Sequence, residues 1–95
     1  MKLLAMETEI PGADWSGAGE LLKAEARHVY DLHLSGAVRE IYFNEAHEAV
    51  IILECADKAD AERLLADFPL VKAGLIRFSL TELKPYDGYS RLMNS

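Results

Sequence analysis

Glu25 and His28 stand three residues apart in a stretch of helical periodicity, which puts both on one face beside an apolar stripe. A carboxylate that holds an imidazole in one tautomer is an acid/base pair suited to neutral pH. The same spacing equally describes a solvated pair at the edge of a core. His33 falls in line with Leu22, Ala26 and Val29, so it is expected to be partly buried, either projecting toward a sheet or hydrogen-bonded as a structural residue. Tyr42, Glu54 and Arg77 each interrupt an otherwise apolar run and are the strand side chains expected to reach a cavity. Arg77 would suit a carboxylate-bearing ligand through its paired donors, and would equally suit a Glu on an adjacent strand. Trp15 and the tyrosines near the C-terminus are expected to close over a pocket or to pack against a partner.

Other chemistries find no support in the sequence. The imidazoles of His28, His33 and His47 include no pair at four-residue spacing on a helix, so no dedicated zinc site is expected. No nucleophile motif, phosphate-binding glycine loop, cysteine pair or haem-attachment sequence occurs, and no cofactor is expected. The single cysteine, Cys55, ends an apolar run where a small buried thiol fits, which is consistent with a reduced, cytoplasmic setting. A formal charge of −6 and scattered basic residues argue against nucleic acid and against an anionic membrane surface. The opening apolar residues are cut short by Glu7 and Glu9, so neither a signal peptide nor a membrane span is expected.

These side chains need elements to hold them, and 95 residues with 51% apolar content suffice for one small core. Lys2 to Ile10 reads as a strand closed by Pro11-Gly12, and Asp14 or Ser16 is available to cap the first helix. That helix, Gly19 to Leu34, is amphipathic and stops at Ser35-Gly36. Ala37 to Asn44 and Glu48 to Cys55 form a hairpin, with Arg39, Ile41 and Phe43 alternating against Val38, Glu40, Tyr42 and Asn44. Asp57 to Phe68 is a second helix broken by Pro69, and Leu75 to Leu83 is a last strand ended by Pro85.

The order β, α, β, β, α, β predicts an α+β, ferredoxin-like domain over residues 1–83, with a four-stranded antiparallel sheet and both helices on one face. The opposite face has no cover within the chain, so a partner sheet from a second copy is expected. The tail 84–95 carries apolar anchors with nowhere to pack on its own sheet and is expected to dock on a neighbouring subunit.

The segment from Asp67-Phe68-Pro69-Leu70 through Gly74-Leu75-Ile76-Arg77-Phe78 to Lys84-Pro85-Tyr86 resembles the C-terminal half of muconolactone isomerase-like proteins, within the wider YciI-like group of dimeric α/β barrels. The helix from Lys23-Ala24-Glu25-Ala26-Arg27-His28 to Leu34-Ser35-Gly36 is similar to that family's first helix, so the resemblance spans about residues 20 to 86. It implies a protomer that dimerises sheet to sheet, often with further assembly. In the isomerase itself it implies cofactor-free movement of a proton in an unsaturated lactone. Together with the residues read above, the expectation is proton transfer on a small unsaturated or aromatic-derived acid or lactone, with Glu25 and His28 as the acid/base pair and Arg77, Tyr42, His33 and Glu54 as substrate contacts. Strand residues Val38 to Phe43 depart from the isomerase, lacking its Trp- and His-containing stretch. The alternatives are a non-catalytic dimeric barrel that binds a small hydrophobic molecule or serves as an accessory subunit, and a cofactor-free monooxygenase.

Overall fold

The computed structural model describes residues 1–93. Where apolar and polar side chains alternate, the chain forms β1 (Lys2–Glu9), β2 (Val38–Phe43), β3 (Ala49–Glu54) and β4 (Ile76–Leu83). All neighbours are antiparallel, in the order β2-β3-β1-β4. The helices are α1 (Gly19–Ser35), α2 (Lys58–Ala66) and the four-residue α3 (Pro69–Lys72). This is the expected ferredoxin-like α+β fold.

The register decides what each face buries. Leu3 pairs with Leu53 and Ala5 with Ile51, and these four are fully buried on the helix side. Ala61 and Leu65 of α2, Val29 and Leu32 of α1, and the fully buried Phe68 close over them. A second cluster, Leu70, Leu75 and Ile76, gathers Ala13, Trp15, Leu21 and Phe78 at the α3 end. On the other face lie Leu4, Met6, Val50, Ile52 and Leu83 among Lys2, Thr8, Thr81 and Glu54, with no element of the described residues over them.

The pairing in β2 differs from simple alternation. A bulge between Val38 and Glu40 displaces Arg39, whose Nε donates to the Gly36 carbonyl at 2.7 Å. The slip puts Val38 on the same side as Ile41 and Phe43, which pair with Ile51 and Ala49. Tyr42 and Glu40 are left on the uncovered face.

Helix α1 ends where the sequence predicts, with Gly36 at φ 89°, a left-handed conformation that glycine adopts without a side-chain clash. Its start is different. Asp14 accepts from the Ser16 backbone N–H at 2.9 Å and from the Ser16 hydroxyl at 2.6 Å, so neither side chain caps the helix. The second helix begins as expected at Asp57, which accepts from the Asp60 N–H at 2.7 Å.

Pro69 does more than terminate. The chain leaves helical geometry at Phe68, and Pro69, which has no N–H to lose, opens α3 at its first position. After Leu83 the chain leaves the sheet and forms a 3-10 turn at Gly88–Leu92. Tyr86, Tyr89, Leu92 and Met93 are all exposed there, and the molecule measures 62 Å along one axis against 27 and 21 Å. The last two positions of the tail, Asn94 and Ser95, lie outside the described residues.

Candidate functional site

Helix α1 turns Leu21, Glu25, His28, Val29 and Leu32 inward, while Leu22, Ala26 and His33 are exposed. The inward stripe is thus rotated from the one running through Leu22, Ala26, Val29 and His33. Rotation follows from the packing above it: α3 and Phe68 press on the Leu21 and His28 side. His33 therefore faces solvent, contrary to its expected burial.

Glu25 Oε1 accepts the Leu70 N–H at 3.0 Å. Leu70 is the second residue of α3, so its N–H has no partner within that helix and claims the carboxylate. That bond displaces the expected dyad: no hydrogen bond joins Glu25 to His28 among the described residues, although the two stand side by side. Loss of water pushes the Glu25 carboxyl above its ordinary pKa, the Leu70 N–H opposes the rise, and the charge of Glu7 adds to it.

Glu7 continues the inward alternation of Leu3 and Ala5 on β1, between Ala49 on β3 and Phe78 on β4. Its Oε1 accepts weakly from the Ala49 N–H at 3.4 Å. Burial raises its pKa as well; the Ala49 N–H and His47 oppose this, while Glu9 and Glu48 reinforce it. His47, at φ 61° in the hairpin turn, stacks on Phe43 with ring centres 4.0 Å apart, beside the same end of β1.

His28 lies one turn beyond Glu25 on α1. Its ring meets the edge of Phe68 at 5.0 Å, and Phe68 meets Phe78 at 5.2 Å in the same manner. Its Nε2 is shielded from water and has no hydrogen-bond partner among the described residues, a costly state for a polar atom unless a ligand or water completes it. The ring borders an open depression of about 720 Å³ lined by Leu21, Asp67, Pro69, Lys72 and Ala73, where the Lys72 ammonium stands 3.9 Å from Asp67.

The remaining candidates lie elsewhere. The Tyr42 hydroxyl donates to Glu40 at 2.8 Å on the uncovered face, which raises its pKa, and the ring is exposed. Glu54 faces the same way and takes the Met1 ammonium at 2.7 Å, which lowers its pKa. Arg77 pairs across from Thr8, one residue off the inward Phe78, and is exposed. It borders a depression of about 230 Å³ along β4 with Leu65, Phe78 and Leu80, and makes no ion pair among the described residues. Within one copy, then, Glu25 and His28 come together, while Tyr42, Glu54, Arg77 and His33 do not join them. Register is the reason for the three strand residues, since each occupies the outward parity of its strand.

Sequence reasoning missed Glu7, Asp67 and Lys72. Glu7 had a signal: an acidic residue in phase with Leu3 and Ala5 sits on the core side of its strand. Among the described residues, no three of His, Cys, Asp and Glu gather as metal ligands.

Fold and site define a ferredoxin-like α+β protein with a carboxyl and an imidazole of α1 set against α3 and the Phe68 that precedes it. No protein-family model matches the chain. No curated protein matches it in sequence either. Among solved structures it is similar to 5-chloro-2-hydroxyhydroquinone dehydrochlorinase (TftG) from Burkholderia phenoliruptrix, determined in complex with 2,5-dihydroxybenzoquinone. The TM-score is 0.64 at 16% identity, over 93% of this chain and 98% of that one. A second similar structure, protein Atu4242 from Agrobacterium tumefaciens, has a TM-score of 0.48 at 19% identity, over 92% of this chain and 95% of that one. The first likeness extends over nearly the whole of both chains and is one of fold.

Proposed function

We propose that the protein is a small cofactor-independent enzyme of the muconolactone isomerase-like, YciI-like kind, moving a proton on a small ring compound derived from an aromatic or a lactone. The observation that carries this reading is the pairing of a half-buried Glu25 carboxyl with the adjacent, water-shielded and unpartnered Nε2 of His28. Glu25 is the base or acid whose affinity for a proton is raised by its surroundings, and His28 is the second group, able to donate to or accept from a ring oxygen. The similar dehydrochlorinase, an enzyme named for a hydroxylated ring substrate, supports a ring compound as the substrate. A homodimer through the uncovered sheet face belongs to this proposal, and so does a reducing, cytoplasmic setting for the buried Cys55 thiol.

Solvent-deuterium incorporation into a panel of small lactones and hydroxylated aromatics, followed by NMR, tests the reading. Glu25→Gln and His28→Ala, each checked for fold by circular dichroism, are expected to slow exchange by roughly 100-fold or more. Exchange that survives both substitutions, or an absence of exchange across the panel, rules the enzyme reading out. One observation favours the second reading, a non-catalytic binding barrel: Glu25 is already occupied by the Leu70 N–H and so has a structural task.

A further inference from the structure

A groove runs between α2 and β4, at the edge of the sheet. Glu62, Leu65 and Ala66 stand at three- and four-residue spacing on α2, so one face of that helix presents a carboxylate beside two apolar side chains. Phe78 and Leu80 meet that face from alternate positions of β4, and Val71 of α3 adds to the lining. Arg77 has the opposite parity. It borders the groove nonetheless, because β4 has β1 on one side and no strand on the other among the described residues, which leaves the edge open to a long side chain. The depression measures about 230 Å³, below the roughly 300–1,000 Å³ of pockets for drug-sized ligands, and this limits an occupant to a few heavy atoms. Neither Glu25 nor His28 lines it, so the groove is separate from the site described above.

Opposite charges border this apolar floor and yet do not meet. No ion pair joins Glu62 to Arg77 among the described residues, and the neighbouring Arg63 is engaged by Asp60. We propose that the groove is a binding site for a free α-amino acid with an apolar side chain, such as leucine. The Arg77 guanidinium takes the carboxylate through its paired N–H donors, the Glu62 carboxylate accepts from the ammonium, and the side chain lies on Leu65, Val71, Phe78 and Leu80. A zwitterion suits this pair where a singly charged ligand does not: a carboxylate alone brings like charge up to Glu62, and an amine alone brings it up to Arg77. The apolar floor supplies most of the affinity. The two charges, both exposed, set orientation and selectivity, since exposed ion pairs are individually weak.

Leucine, isocaproate and isoamylamine share one branched apolar chain; isocaproate lacks the ammonium of leucine and isoamylamine lacks its carboxylate. Titrating each into the full chain at pH 7, read by the backbone amide shifts of Leu65, Phe78 and Leu80, tests the proposal. Leucine is expected to bind roughly three- to fivefold more tightly than either analogue. Glu62→Gln should remove its advantage over isocaproate, and Arg77→Gln its advantage over isoamylamine. Both positions are exposed, so neither change disturbs the core. Glycine, which has no side chain to lay on the floor, should leave the three amides nearly unmoved. The proposal is overturned by leucine that does not move these amides, by an analogue or glycine that binds as tightly as leucine, or by an advantage that survives substitution of the residue assigned to it. Because Glu25 and His28 take no part, the outcome is independent of the enzyme reading.

Discussion

Moving a carboxylate away from water favours its protonated form, and at Glu7 and Glu25 this links the site to stability. Both folded-state values lie above the ordinary 4.5, so between 4.5 and those values the folded protein binds more protons than the unfolded chain. The stability they contribute is complete below pH 4.5 and is lost as pH rises through the raised values. Glu54 and Asp14 have the opposite sign: their folded values are depressed, so their contribution is present above the ordinary range and lost in acid, and exposure keeps it small. Glu7→Gln should therefore raise the melting temperature at pH 7 by about 2–5 °C and change it much less at pH 4. Thermal melts at the two pH values check this, and a loss of stability at pH 7 would show that the carboxylate is better satisfied than its burial implies. At this scale the sequence was half legible. Helical spacing placed Glu25 beside His28, but it could not show that an α3 amide 45 residues away would take the carboxylate first. Glu7 was visible in the alternation of β1, where chemistry was expected only of the polar residues in later strands.

Elements were easier to read than sites, because a period repeated over many residues averages out local exceptions. The strands and α1 fall within a residue or two of where alternation and Gly36 put them. What the period left open was the phase of α1. Leu22, Ala26 and His33 make as plausible an inward stripe as Leu21, Glu25, His28 and Leu32, and the choice was made by Phe68 and α3, far along the chain. The bulge at Arg39 is likewise a matter of pairing with β3 and leaves no mark in β2 itself. Two substitutions probe the elements that hold the site. Asp57→Ala removes the side-chain cap of α2 and should cost about 1 kcal/mol in denaturant unfolding. Phe68→Ala empties a fully buried position that braces His28 and should cost about 3–5 kcal/mol. A cost for Phe68→Ala below about 1 kcal/mol would mean the layer is not packed as described.

For the whole molecule the open question is the uncovered sheet. Leu4, Met6, Val50 and Ile52 form its centre, on paired residues of β1 and β3, and an apolar sheet face left in water favours association. Alternation made this face legible, whereas its occupant could not be read, since the same side chains suit any flat apolar partner. In the proposed dimer a second copy would bring Tyr42 and Glu54 into the interface, where cross-strand polar contacts suit them better than ligand contacts do. Light scattering after size-exclusion chromatography should give twice the chain mass for the unaltered chain and a folded monomer for Ile52→Lys, whose added charge would be buried in the interface. An unaltered chain that runs as a monomer would remove the dimer from the proposal.

The position of Trp15 has a practical bearing on all of these measurements. It is the chain's one tryptophan, and it lies with Leu21, Leu70 and Leu75 at the α3 end, apart from the main core beneath α2. Its ultraviolet emission accordingly reports the neighbourhood of the His28 depression, which Leu21 also lines, and is nearly blind to the centre of the sheet. Denaturation followed by fluorescence will track the loosening of α3, while far-ultraviolet dichroism tracks the strands and longer helices. A gap between the two transitions would measure how independently the site end of the molecule opens.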